Sequence, residues 1–388
     1  MKIGIKLILV MTVMNLIGTG ILVGGSLLFF RKQILALSME NARINARESG
    51  QKVQIWFEKY LNAVRTVASI MGHFDEVPLA DRRKAFNATL KGVTMENTEA
   101  LSFWAGFEPD ALDGLDAEYV NTPGSDRSGR FLSYFANRGG KVTLEALVDY
   151  ETAAYYRVPL RTGKAAVIEP YHYRVDGTDM LVTSLTMPII HNGKTVGVVG
   201  ADIDLYSIQY ISDTIKPFQD SATAVFSNSG IVVAHVDKDR AGRHIMETER
   251  DIAGEKVGEL TQAVREGADY TIMTRAAFLG TKAIIIITPI TIADTAAKWA
   301  VGVALTEQSV MAPVRRLTFL FVVIGALILA AMSGMTLIIA KTITGPIKYT
   351  VSYPMPKGRG LRLVPVARLT PQDFYFNDTC LGHSLVIA

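Results

Sequence analysis

Two uncharged apolar runs bracket this chain and limit what it can fold into. Residues 7–30 read LILVMTVMNLIGTGILVGGSLLFF and residues 317–340 read LTFLFVVIGALILAAMSGMTLIIA. Each is long enough to cross ~30 Å of hydrocarbon as a helix. Lys2 and Lys6 precede the first run and Arg31-Lys32 follow it; Arg315-Arg316 and Lys341 flank the second. The first run exceeds the 7–15 apolar residues typical of a signal peptide, and no small-x-small cleavage site accompanies it. A soluble core helix rarely runs this long without a charge, so the second also reads as a span. Two spans put both termini on one side of a membrane and residues 31–316 on the other. Lys and Arg beside the spans are nearly balanced, and long loops translocate largely regardless of charge. The expectation is a protein of the plasma (inner) membrane with cytoplasmic termini and 31–316 extracytoplasmic.

Composition removes several function classes. The net charge of +3 and the lack of a basic stripe interleaved with aromatics argue against nucleic acid as a partner. The lone cysteine, Cys380, excludes an internal disulfide or a CxxC metal site, and six scattered histidines show no metal-ligand spacing. No metal and no cofactor is expected. There is no phosphate loop, no His-Glu-x-x-His, no Gly-x-Ser-x-Gly and no cysteine nucleophile outside the tail, so the chain reads as a non-enzyme.

Between the spans the patterning is α+β. Residues 31–74 form a long stalk helix continuing out of the first span. In it Val53, Trp56-Phe57, Tyr60-Leu61, Val64, Val67-Ala68 and Met71 recur at three- and four-residue steps without a proline. A short helix over 84–93 and a strand over 101–107 follow. A turn-rich loop then runs to Arg130, a strand starts at 131–134 and breaks at 137–140, and a helical piece covers 153–160. Strands are expected over 165–173, 181–190 and 196–204. A smaller set repeats the plan: a hairpin at 223–226 and 231–235, a helix over 256–266, and strands over 270–274, 283–288 and 299–305. The boundaries are a membrane-distal unit over 75–215 and a membrane-proximal unit over 216–310.

The stretch 149–205 is the most informative part. Tyr150, Tyr155, Tyr156, Tyr171 and Tyr173 crowd its first half, and its second half ends on Gly200-Ala201-Asp202. Aromatic rings, an Arg and an Asp on sheet edges suit a small-ligand pocket; ordinary sheet packing is the competing reading.

Span, long helix, larger and smaller α+β units, and a second span resemble the double Cache (PAS-like) sensor of bacterial methyl-accepting chemotaxis receptors and sensor kinases. The resemblance is carried by Tyr155-Tyr156, Gly163-Lys164, Glu169-Pro170-Tyr171, residues 183–188, and Gly193-Lys194 leading to residues 197–203. It covers roughly residues 31–316 and implies a ligand pocket in the membrane-distal unit, formed by 149–205. It also implies a homodimer through 32–73. One subclass of the family binds amino acids through Tyr, an Arg five positions on, Trp-Tyr, Tyr-x-Asp and Gly-x-Asp. Here Tyr156, Tyr171 and Asp202 match and Tyr155 stands in for Trp. Val148 replaces the first Tyr, Ala153 the Arg, and Tyr173 the first Asp. The fork for an α-carboxylate is therefore missing at that point. The ligand-binding set implied is Trp104, Asp149, Tyr155, Tyr156, Arg157, Tyr171, Tyr173 and Asp202, with Arg157 or Arg161 as substitute cations. Trp104, on an earlier strand, is a weaker candidate than the others in this set, as is Tyr134. The ligand class is an amine, an organic acid or another small polar molecule.

After the second span, residues 341–352 resemble the opening of a HAMP linker. Pro354, Pro356, Pro365 and Pro371 then forbid a continuous helix. Residues 353–388 are expected to be an irregular tail, out of frame or a native short end, and no output domain is visible. The function expected is extracytoplasmic small-ligand sensing for transmembrane signalling of the chemotaxis-receptor type. The alternatives are the sensor half of a histidine kinase or cyclase-type receptor, and a stand-alone membrane-anchored binding protein.

Overall fold

A computed structural model describes residues 3–175, 178–215, 221–276 and 281–351. The irregular tail expected over 353–388 lies outside them. Helix α1 (Ile3–Gly72) contains the first apolar run and the stalk without a break, as the absence of proline allows. Helix α8 (Glu307–Val351) contains the second. These are the two helices among the described residues long and apolar enough to cross a membrane. Among the described residues, 3–23 and 323–351 form one compact unit, and 24–322 form another.

Within Gly24–Val322, helix α2 (Arg82–Glu96) follows α1. A seven-stranded sheet then collects β1 (Ser102–Phe107), β2 (Leu132–Arg138), β3 (Lys141–Ala146), β4 (Ala166–Val167), β5 (Tyr171–Val175), β6 (Thr178–His191) and β7 (Lys194–Asp204). Its order is β3-β2-β1-β7-β6-β4, with β5 also paired to β6, and every pairing is antiparallel. Helix α3 (Ala154–Thr162) crosses between β3 and β4, and α4 (Leu205–Thr214) leaves β7. A five-stranded sheet follows in the order β10-β11-β12-β8-β9. Its strands are β8 (Ser221–Phe226), β9 (Val232–Ala234), β10 (Tyr270–Ala276), β11 (Thr281–Thr291) and β12 (Lys298–Thr306). Short helices α5 (Ile245–Thr248) and α6 (Arg250–Ala253) precede α7 (Val257–Glu266).

The apolar stripe read from α1 is its buried face: Val53, Phe57, Tyr60, Leu61, Val64, Val67 and Met71 are shielded from solvent. It packs on one face of both sheets. Phe57 meets Trp299 of β12 edge-on at 4.8 Å, and Phe103, Ala105, Val199 and Ile203 belong to the same core. Each fully buried side chain of this kind stabilises the fold by about 1.5–3 kcal/mol. Trp56 is partly buried and stacks edge-on against Phe57 and Tyr60, which is the packing role expected of it. Because side chains alternate along a strand, Ser102, Trp104 and Gly106 of β1 point to the opposite face, away from α1.

Three local expectations need correction. Asn137-Arg138-Gly139-Gly140 does not break the sheet; Gly139 and Gly140 at φ +61° and +94° turn β2 into the hairpin strand β3. The strand expected over 165–173 divides into β4 and β5 around Glu169-Pro170, because proline has no N–H to give to a ladder. Helix α4 falls where no element was expected; its mixed polar and apolar residues carry no long periodic run.

Candidate functional site

The face of the first sheet turned away from α1 is organised by Asp202 near the end of β7. Its neighbours in register are Ser102 on β1 and Ser184 on β6, so three adjacent strands place one carboxyl between two hydroxyls. Ser102 Oγ donates to Asp202 Oδ2 at 2.8 Å, and Ser184 Oγ donates to Oδ1 at 2.6 Å. Two residues along β1, Trp104 Nε1 donates to Oδ1 at 3.1 Å. Tyr171 on β5 contacts Ser184 Oγ at 2.8 Å through its hydroxyl, extending the network by one ring. Asp202 is buried, and no Lys, Arg or His among the described residues forms an ion pair with it. Burial pushes its carboxyl above the usual carboxylate range; the Ser184, Trp104, Ser102 and Tyr134 donors pull the other way without overcoming it.

Aromatic rings wall this carboxyl. Tyr155 on α3 meets Trp104 edge-on at 5.1 Å and lies nearly parallel to Tyr171 at 6.5 Å. Its hydroxyl donates to the Val148 carbonyl, which ties the start of α3 to the turn before it. That turn is made by Asp149 at φ +56°, a conformation Asp tolerates, and its carbonyl accepts from Ala153 N at 2.8 Å. Helix α3 ends at Gly163, φ +63°, a left-handed cap. Burial raises the phenols of Tyr155, Tyr171 and Tyr173, and the Asp202 charge adds to each shift. All three stay protonated and able to donate.

A second polar cluster lies beside the first. Arg130 Nη2 contacts Glu108 Oε1 at 2.7 Å and Tyr156 Oη at 2.9 Å, while its Nε donates to the Phe107 carbonyl at 2.8 Å. Its guanidinium lies over the Tyr150 ring at 4.7 Å, and Tyr150 donates to Asp126 at 2.8 Å. Arg130 is thus engaged by the protein itself through Nε and Nη2.

Of the residues expected at the site, Trp104, Tyr155, Tyr171 and Asp202 converge, and Tyr173 faces the same carboxyl from β5. Tyr156 turns instead into the Arg130 cluster. Arg157 lies on the exposed side of α3 and Asp149 is exposed in its turn. Neither joins the converging group. The residues missed in sequence are Ser102, Ser184, Glu108 and Arg130. Ser102 stands two positions before Trp104, which is the same-face spacing of a strand; that was the available signal. Ser184 and Arg130 needed the pairing of distant strands.

Among the described residues no group of His, Cys, Asp and Glu is arranged to hold a metal ion.

Residues 86–210 match the family described as methyl-accepting chemotaxis protein-like, first PDC sensor domain. The chain is 32% identical to the methyl-accepting chemotaxis protein TlpQ of Pseudomonas aeruginosa over a match covering 34% of this chain and 21% of that protein. This chain therefore spans about a fifth of that relative (21%). Among solved structures, the extracellular domain of the putative histidine kinase mmHK1S-Z2 superposes with a TM-score of 0.61 at 26% identity, covering 71% of this chain and 99% of that one. The structure called methyl-accepting chemotaxis protein X superposes with a TM-score of 0.57 at 23% identity, covering 71% and 98%, a likeness of fold. The antiparallel sheet with its α3-covered face falls within the matched residues 86–210, and it is these residues that carry the likeness to the methyl-accepting chemotaxis protein-like PDC (double Cache) sensors.

Proposed function

We propose that the Asp202 face of the first sheet binds a small organic cation outside the cell and that its occupancy is passed to the second span. The observation that carries this reading is Asp202 itself. A buried carboxyl held only by neutral donors is unfavourable unless a positive partner arrives. Trp104, Tyr155 and Tyr171 supply ring faces that attract a desolvated cation. The carboxylate end of an amino acid has no comparable partner. Ala153 occupies the position where the amino acid-binding pattern has Arg, Arg157 is exposed, and Arg130 is committed to Glu108 and Tyr156. The ligand is accordingly an amine, with a carboxylate neither needed nor favoured.

In this reading residues 75–215 are the ligand-binding unit, residues 216–310 the relay, and α1 and α8 the membrane anchors. A homodimer through α1 completes the receptor. Strand β12 runs directly into α8, so a shift of the second sheet reaches the second span without an intervening loop. Occupancy acts by favouring one of two packings of these elements. The output is of the chemotaxis type; the likeness to a histidine kinase extracellular domain at 26% identity makes a kinase output the second reading.

The test is a ligand screen on the full chain in lipid nanodiscs, following thermal stability. Primary amines, quaternary ammonium ions, amino acids, organic acids and nucleobases are compared, since a bound ligand stabilises by mass action. Hits confined to cations support the reading; hits confined to anions or neutral bases overturn it.

A further inference from the structure

The second sheet has a cavity on the face that corresponds to the Asp202 face of the first. Strand β12 lies between β8 and β11 as β7 lies between β1 and β6. Gly302 occupies the place of Gly200, with the Phe226 ring over it as Trp104 lies over Gly200. Ala304, two residues on, stands where the first sheet has Asp202. Gly302 pairs with Ala224 and Ala304 with Ala222, so small side chains lie side by side on β12 and β8. They leave about 30 Å³ open to the centre of a water-sized sphere beneath Ile252 of α6 and Leu260 of α7. That is room for roughly one or two waters, or for a molecule of about two or three heavy atoms.

The carboxyl that β12 lacks comes from the junction of α5 and α6. Glu249 is 3% exposed and lines the cavity, and its Oε1 has no hydrogen-bond partner. Arg240 Nη1 lies 3.4 Å from that oxygen as an ion-pair contact. The same guanidinium also serves Asp251 at 2.7 Å, Asp237 at 3.2 Å and the Thr248 carbonyl. Asp237, Glu249 and Asp251 therefore share one guanidinium. His235, 3.9 Å from Glu249 Oε2, adds no positive charge at neutral pH, because burial and then the Arg240 charge lower it to about 4. A buried carboxyl in a negative surplus, facing a small apolar space, is stabilised far more by a cation than by an apolar molecule.

We propose that this cavity is a second binding site, for a small alkylammonium ion of methylammonium size. Its ammonium group donates to Glu249 Oε1, and its methyl group rests on the floor made by Ala224, Gly302 and Ala304. The site is separate from the Asp202 face and stands whether or not that face takes a cation.

Methylammonium chloride is the probe, with sodium chloride at equal ionic strength as the reference. The full chain in nanodiscs carries Asp202→Asn, which removes the first-sheet carboxylate from the measurement. Methylammonium raises the melting temperature of this chain by about 3 °C at saturation. Adding Glu249→Gln abolishes the rise or shifts its half-saturating concentration at least about tenfold. Adding Ala304→Val instead, which fills the cavity and keeps Glu249, does the same. The proposal is overturned if methylammonium acts no differently from sodium in the Asp202→Asn chain, or if the rise persists unchanged with Ala304→Val. Should Glu249→Gln fail to fold, the Ala304→Val chain decides the matter alone.

Discussion

Trp104 and Gly200 face each other across β1 and β7 so closely that a methyl group on Gly200 would stand 2.2 Å from the indole ring. The close approach lets Trp104 Nε1 reach Asp202, two residues further along β7. Replacing Gly200 by Ala forces the ring out of its place and breaks that hydrogen bond. The expected destabilisation is about 1–3 kcal/mol, the usual range for overpacking. Chemical denaturation measures it, and near-ultraviolet circular dichroism reports the displaced indole. An unchanged spectrum and midpoint would show that the ring is not fixed by Gly200.

Asp202 gives a pH dependence whose sign follows from its raised carboxyl. A group with a folded pKa above its unfolded value of about 3.9 favours the fold most at acid pH, and that contribution is lost as pH rises through the folded pKa. Asp202→Asn keeps an oxygen for Trp104 and Ser184 and an NH₂ for Ser102. Without ligand, the Asn variant should therefore be at least as stable as wild type at pH 7–8, with the advantage shrinking toward pH 4. Melting temperatures of both chains across that range decide it; a wild type that gains on the variant as pH rises would contradict the account.

Arg130 and Arg157 make opposite predictions although both stand near the tyrosines in sequence or space. Arg130 is buried among Glu108, Tyr156 and the Phe107 carbonyl. Arg130→Met removes its bonds to Glu108, Tyr156 and the Phe107 carbonyl, while Tyr156 Oη still donates to Glu108 Oε1 at 2.9 Å. The cost should be about 2–4 kcal/mol, discounted from a fully buried pair because Glu108 is partly exposed. Arg157→Ala should change stability by less than about 0.5 kcal/mol and leave ligand affinity unaltered. Loss of ligand binding in the Arg157 variant would return that residue to the site.

Glu169 joins the two sheets. Its carboxylate accepts from Ser229 N at 3.2 Å and from Ser229 Oγ at 2.5 Å, in the turn between β8 and β9. Two residues on, Tyr171 enters the Asp202 network through Ser184. Glu169→Ala should raise hydrogen exchange at residues 227–231 severalfold, and the energies of Glu169→Ala and Ser229→Ala should be non-additive by about 0.5–1.5 kcal/mol. Strict additivity would remove this contact from any route between the sheets.

The two apolar runs, the stripe on α1 and most strands were legible because each is a local periodic pattern. The family was legible from Tyr155-Tyr156, Glu169-Pro170-Tyr171 and Gly200-Ala201-Asp202 in their order. What stayed hidden depended on partners far apart in the chain. Ser184 reaches Asp202 only through the β6–β7 register, and Arg130 finds Tyr156 only once the loop after β1 folds back. Arg157 falls outside the converging group for a related reason, and Asp149 does so because it sits in the exposed turn before α3. On a helix of nine residues, adjacent positions point in directions ~100° apart, so Tyr155-Tyr156 turned inward leaves Arg157 outside. Residues 137–140 read as a break because a two-glycine hairpin turn and the end of a strand look alike without the pairing.

The central claim is that Asp202 draws a small organic cation into the aromatic face of the first sheet. Calorimetric titration of the full chain with the best amine from the screen, at pH 7.5, tests it most directly, using wild type and Asp202→Asn. The account predicts saturable binding to wild type and at least about a hundredfold weaker binding to the variant, close to 3 kcal/mol for a buried charge-assisted contact. Equal affinity of the two chains, with the variant folded, would contradict it.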